Sequence, residues 1–255
     1  MYEYGILTTK SAIVYATKRN AAMADVPNKP EIYHKDFDVV EFIGEELATI
    51  RGVNSNHYFP VSFLKPGDVR KKSILFDNEN TRVGSYSFCE DGKAYLVAST
   101  LTLGMPDKSF ESIFEWCKDE NNKKSFLKQN LEMFGLDIYM CQQDRPLNCY
   151  YVFDEFERLS LGPMFDYEES LEMIADDDFE YRSDFVYLGD IDDYHEMMVK
   201  YPQLVEILKS YLDVDLVNVI KSMAAKRNFD VSGLDLDLYK RFDEQSHKRL
   251  EKILK

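Results

Sequence analysis

The hydrophobic pattern changes character near Pro106, and that change constrains the fold more than any other feature of the chain. Before it, short runs rich in β-branched and aromatic residues dominate: Ile6–Thr17, Tyr58–Leu64, Ser73–Phe76, Val83–Phe88 and Ala94–Thr100. Bounded by Gly, Pro, Asn and Asp, such runs read as strands, and Asp91-Gly92 reads as a hairpin turn. Asn20–Pro30 reads as loop. One helix is expected here, over Asp36–Arg51, where Phe37, Val40, Ile43, Leu47 and Ile50 recur at helical spacing and Gly52 closes the run. After Pro106 the period becomes helical in Phe110–Cys117, Ser125–Met140, Tyr194–Met198, Gln203–Leu212, Leu216–Ala225 and Leu236–Leu254. Tyr150–Phe153 and Leu159–Leu161 form the exception, a small hairpin. The expected organisation is a strand-rich part over residues 1–104 and a mostly helical part over 105–255. A cleft between two such parts is a common place for a ligand.

Composition narrows the classes. The chain has 255 residues, 45% of them hydrophobic, enough to build a core. Its 31 Lys+Arg against 46 Asp+Glu leave a net charge of −15. A broad basic surface is therefore not expected, which leaves room for a local basic patch, and direct nucleic-acid binding is not expected. No apolar stretch is long enough to span a bilayer, and the first residues, with Glu3 and Lys10, do not read as a signal peptide. Cys89, Cys117, Cys141 and Cys149 form no CxxC pair, and the four histidines show no metal spacing. The reading is a cytoplasmic protein with reduced thiols and no membrane partner.

The chemistry-bearing stretch runs from Phe126 to Leu171. A helix leads into the polar loop Gln142-Gln143-Asp144-Arg145-Pro146-Leu147-Asn148, the hairpin follows, and then Gly162-Pro163-Met164-Phe165-Asp166. Closing the hairpin would bring the Asp144 and Asp166 carboxylates together. An Asp in a loop, an Asn just after it and a second Asp beyond a hairpin suit phosphoryl transfer. The first orients or deprotonates the attacking hydroxyl, and the other two hold magnesium. The plain alternatives are a turn aspartate at 144, a helix-capping acid at 166 and a turn residue at 148.

This stretch resembles the catalytic segment of the HipA-like Ser/Thr kinase family. Asp144-Arg145 and Asn148 resemble its D-R-H-x-x-N loop, and Leu161-Gly162-Pro163-Met164-Phe165-Asp166 resembles its L-A-P-x-[FY]-D segment. The resemblance implies an α+β, two-lobed protein-kinase-like fold, with a small strand-rich N-lobe and a mostly helical C-lobe. It makes Asp144 the catalytic Asp, Asn148 and Asp166 magnesium ligands, and ATP and Mg2+ the cofactors. Two departures stand out. Asn148 comes four residues after Asp144, where the family has five, and Pro146 replaces the usual His. Either the loop is one residue shorter, or Cys149 occupies the place of the metal-binding Asn, as in a weak kinase or pseudokinase.

Upstream, Gly5-Ile6-Leu7-Thr8-Thr9-Lys10-Ser11 stands where the family covers the phosphates, with a single glycine, so Thr8, Thr9 and Ser11 hydroxyls would substitute in part. Lys18 would reach the phosphates and Glu41 would pair with it, with Lys35 and Glu45 as runners-up. Ala94–Thr100 would connect the lobes, with adenine against backbone near Val97 and Ser99. The implied acceptor is a Ser/Thr hydroxyl of a cytosolic protein, in a toxin or effector role. A catalytically inactive binding protein and a small-molecule phosphotransferase are the alternatives. The family's additional N-terminal segment suggests that a small antitoxin or separate partner supplies one here.

Overall fold

The computed structural model describes residues 5–9, 12–16, 32–36, 39–62, 74–75, 81–86, 94–97, 111–142, 145, 150–154, 156–167, 169–175, 177–183 and 186–255. In chain order the strands are β1 (Gly5–Thr9), β2 (Ala12–Ala16), β3 (Ile32–Asp36), β4 (Tyr58–Ser62), β5 (Ile74–Leu75), β6 (Thr81–Tyr86), β7 (Ala94–Val97), β8 (Tyr150–Phe153), β9 (Leu159–Leu161), β10 (Tyr181–Arg182), β11 (Tyr187–Leu188) and β12 (Phe229–Asp230). The helices are α1 (Val39–Arg51), α2 (Glu120–Met140), α3 (Ile191–Lys200), α4 (Gln203–Tyr211), α5 (Leu216–Arg227) and α6 (Leu236–Ile253), with a 3₁₀ turn at Glu111–Trp116.

The single run expected over Ile6–Thr17 is a hairpin, with Gly5 opposite Ala16 and Thr9 opposite Ala12. The next sheet has the order β3-β6-β4, and both neighbours of β6 are antiparallel to it. That arrangement overturns the hairpin expected around Asp91-Gly92, a turn that lies outside the described residues. Both edges of β6 are taken, so β7 pairs with β8 instead, Ala94 opposite Phe153 and Val97 opposite Tyr150. The β8–β9 hairpin forms as its pattern predicts, with Tyr151 opposite Leu161. Sequence analysis did not expect β3, whose IYHKD alternation is broken by two charges and a histidine.

α1 follows its periodicity with one shift of face. Phe42, Ile43 and Leu47 are buried, whereas Ile50, expected in the stripe, is exposed. Glu41, Glu45 and Glu46 are buried too, so α1 is enclosed on more than its apolar side. Each acid must then be paired, because a buried unpaired carboxylate is costly. Arg227, at the end of α5, supplies one partner: its guanidinium lies 2.7 Å from Glu45 Oε2 and donates to the Tyr58 carbonyl at 2.6 Å. Lys226 pairs with Glu46. Two-residue parallel pairing of β5 with β12 ties the same end of α5 to the strand-rich part.

α2 is the central helix. It begins at an Asp119 N-cap that accepts from the Asn122 N–H at 2.8 Å, one turn before the expected start, and it ends at Cys141, whose φ is 54°. Its second half is buried almost continuously, from Asn130 to Met140 except Glu132, because α4, α6 and β9 pack around it. Thus the second half of α2, enclosed on all sides and carrying Asn130 and Asp137 among its apolar residues, becomes the core of the larger part.

Candidate active site

Asp166 sits in the segment that follows β9, and its own conformation is unusual. Its φ of 61° places it in the left-handed region, which costs a non-glycine residue about 1–2 kcal/mol. Asp tolerates that region better than most residues, and the backbone around it is held at both ends. The Asp166 N–H donates to the Tyr58 hydroxyl at 2.9 Å, and its carbonyl accepts from Gln142 Nε2 at 3.0 Å. On one side, Phe165 O accepts from Arg145 Nη1 at 3.4 Å. On the other, the Tyr167 N–H donates to Glu41 Oε1 at 2.9 Å. Two residues earlier, Met164 forms a parallel bridge with Ser55: its N–H donates to Asn54 O at 2.8 Å and its carbonyl accepts from the Asn56 N–H at 2.7 Å.

Glu41 is fully buried and is the hub of these contacts. Besides the Tyr167 N–H it accepts from the Tyr58 hydroxyl, whose pKa burial and the Glu41 charge push up. Tyr58 therefore stays neutral, donating to Glu41 while accepting from Asp166, as a phenol can. Gly44, one helical turn on from Glu41, explains how Tyr167 fits. A Cβ at Gly44 would fall 2.4 Å from the Tyr167 ring, so only glycine admits the ring against α1. A helix-interior glycine costs about 1 kcal/mol relative to alanine, which marks the contact as the reason for it. Tyr167 also shares a 2.8 Å hydrogen bond with Ser55 Oγ.

Glu45, the runner-up partner for the lysine, is occupied by Arg227, by the Tyr58 N–H at 2.9 Å and by His57 Nδ1 at 2.6 Å. It joins α1 to β4 and α5.

Beneath the turn lies an ion pair that sequence analysis missed. Arg145 is completely buried and grips Asp137 through two hydrogen bonds, Nε to Oδ2 at 2.8 Å and Nη2 to Oδ1 at 2.7 Å. Tyr181 donates to Asp137 Oδ2 at 3.1 Å. Burial pushes the Asp137 carboxyl up, and Arg145 and Tyr181 work against that shift. Burial likewise disfavours the guanidinium charge, and Asp137 more than restores it. A doubly bonded Arg–carboxylate pair fixes orientation as well as charge. Here it joins α2 to the residue that follows Asp144 and to the Asp166 turn. The signal for it was an aspartate inside the otherwise apolar run FGLDIYM.

Of the expected site residues, the structure describes the side chains of Glu41 and Asp166, and it brings both to the same turn. Gly5, Thr8 and Thr9 lie on β1 and Val97 on β7. Lys10, Lys18, Ser99, Asp144 and Asn148 lie outside the described residues, as do Ser11 and Cys149. Lys35 lies on β3. Among the described residues no group of three or more His, Cys, Asp or Glu side chains is placed to hold a metal, and no helix is long and apolar enough to cross a membrane.

No protein-family model matches the chain, and no curated protein matches its sequence. Solved structures do resemble it. HipA of Shewanella oneidensis MR-1, determined with HipB and operator DNA, superposes with a TM-score of 0.57 at 13% identity, over 87% of this chain and 57% of that one. The present chain thus spans a little over half the length of that HipA. The Helicobacter pylori proinflammatory kinase CtkA superposes with a TM-score of 0.53 at 12% identity, over 87% of this chain and 85% of that one. The fold is therefore mixed helix and strand of the HipA- and kinase-like kind, in agreement with the fold resemblance read from the Asp144 and Asp166 motifs.

Proposed function

We propose that the chain is an ATP- and Mg2+-dependent HipA-like kinase that phosphorylates a Ser or Thr hydroxyl of a protein. The observation that carries this reading is the Asp166 turn, which four hydrogen bonds hold from α1, β4 and the two ends of the 142–145 segment. Rigid backbone support of this kind is what a cation-binding carboxylate needs. Asp166, an oxygen donor, would hold magnesium together with Asn148. Bound there, the ion supplies neutralisation of phosphate charge. Asp144 would orient the acceptor hydroxyl and take its proton. Gly5, Thr8, Thr9, Lys10 and Lys18 would meet the phosphates, and backbone near Val97 and Ser99 the adenine. The strand-rich lobe would span 1–104 and the helical lobe 105–255, in a cytoplasmic protein. Since the Shewanella HipA is complexed with HipB and operator DNA, a small antitoxin partner is part of the proposal, and nucleic acid would reach this chain through that partner.

One observation favours a second reading, a kinase-fold binding protein without chemistry. Glu41, assigned to orient the phosphate-binding lysine, is fully buried, and its Oε1 accepts from the Tyr167 N–H, so the carboxylate serves the Asp166 turn. Transfer of label from radioactive ATP with magnesium, to the protein itself and to a cell extract, separates the two. Wild type is expected to label a protein band, with Asp144→Asn and Asp166→Asn each lowering the rate by about 100-fold or more. Equal labelling by wild type and variants would overturn the assignments. Nucleotide binding without any labelled protein would count against the protein-kinase reading and in favour of the second.

A further inference from the structure

Away from the Asp166 turn, a cavity of about 280 Å3 opens where α6 meets the end of α2. Its wall is formed by Cys141, by residues 174–175, and by one face of α6 carrying Lys248, Arg249 and Lys252, with Lys255 beyond the helix end. Positions 245, 248, 249 and 252 follow helical spacing, so their side chains share that face. Among the described residues Lys248, Arg249, Lys252 and Lys255 line the cavity together with the Glu251 carboxylate, in a chain whose net charge is −15, and Asp178 lies close enough to act electrostatically on Cys141 in the wall.

Arg249 is the decisive residue. It is 6% exposed, yet its hydrogen-bond partners are all neutral. Nη1 donates to Ile138 O at 2.9 Å and to Cys141 Sγ at 3.5 Å, and Nη2 reaches the Tyr194 hydroxyl at 3.5 Å. The Phe179 ring lies 5.9 Å away. Nε has no hydrogen-bond partner, and among the described residues no carboxylate forms an ion pair with this guanidinium. A buried guanidinium with only neutral hydrogen-bond partners and one nitrogen unbonded is costly. The helix dipole accounts for cations in the last turn of α6, but not for one buried among neutral groups beside an open cavity. Lys248 and Lys255, both exposed, also form no ion pair among the described residues.

We propose that this cavity binds a phosphate-class oxyanion, carried either by a free polyphosphate or by a phosphorylated side chain. A single carboxylate would leave most of the positive charge uncompensated, whereas a multiply charged phosphate offers several acceptor oxygens to several cations. The volume admits the phosphate and part of its carrier. Cys141 in the wall adjoins Gln142, whose side chain holds the Asp166 carbonyl, so occupancy of the cavity bears on that turn. The proposal stands whether or not the chain transfers phosphate.

Calorimetric titration of the full chain tests it, with pyrophosphate in one arm and a phosphoserine peptide in the other. EDTA keeps divalent cations from the Asp166 turn. Wild type is expected to bind at least one probe, and the better probe identifies the source of the phosphate. The exposed triple variant Lys248→Ala/Lys252→Ala/Lys255→Ala is expected to bind it about tenfold more weakly or worse. Hydrogen exchange is expected to slow in residues 138–142 and 245–253 on binding. Absence of binding at millimolar probe, equal affinity in the triple variant, or protection confined to other segments would each overturn the site.

Discussion

Two arginines are buried among the described residues, and they are buried differently. Arg145 lies in a bidentate grip on Asp137, with a tyrosine hydroxyl on the same carboxylate. Arg249 is nearly as buried, but carbonyl, thiol and phenol are its partners. The first charge is satisfied from within the fold, and its third nitrogen, Nη1, holds the Phe165 carbonyl next to Asp166. The second faces a cavity rimmed by lysines. Closed electrostatics thus accompany the turn that must not move, and open electrostatics accompany a surface suited to an incoming anion.

The sharpest way to break this comparison is Asp137→Ala. It strands Arg145 in the core and is expected to cost about 3–5 kcal/mol in urea-induced unfolding. Asp137→Leu combined with Arg145→Met should recover most of that loss, because it removes both charges. A single-variant cost below about 1 kcal/mol would show that water or another group reaches Arg145.

Arg249→Met should cost less, about 1–2 kcal/mol, because the variant loses neutral hydrogen bonds and leaves Ile138 O short of a donor, while no carboxylate is stranded. A loss as large as that of Asp137→Ala would mean that Arg249 has a counterion in solution, and the contrast would fail.

A surface pair marks the small end of the scale. Glu111 accepts from Tyr201 and pairs with Lys200. Burial raises its pKa, but Lys200 and Tyr201 outweigh burial and hold it below the usual carboxylate value. The unfolded chain therefore binds this proton more readily than the folded one. The stabilisation is present above the ordinary carboxylate range and is lost as pH falls through the lowered value. Glu111→Gln should flatten the acid limb of a stability–pH curve slightly, with about 0–1 kcal/mol at neutral pH, since the carboxylate is only partly buried. A larger change would place the pair in a network rather than at the surface.

Two residues that the structure brings to one turn stood out from local pattern. Asp166 stood out by its motif, and Glu41 by its place on α1. The partners that give them their geometry were not legible. Tyr58 lies 108 residues from Asp166, and Glu41 lies 126 residues from Tyr167. Each contact uses a backbone group of the turn, which leaves no residue-type signature at the receiving end. Gly44 likewise carries no local sign of the Tyr167 ring that packs against it.

By itself the sequence determined the switch from strand to helix near Pro106, the course of α1 and α2, the β8–β9 hairpin and the amphipathic helices beyond Asp190, because each is encoded in the spacing of neighbours along one element. Pairing across elements was decided only in three dimensions. β6 took β3 and β4 as neighbours and left β7 to β8, since a strand has two edges and local sequence does not name their occupants. Asp137 found Arg145, while Arg249 found no acid among the described residues. Burial sets the cost of a charge, and burial is a property of the assembled fold rather than of any segment.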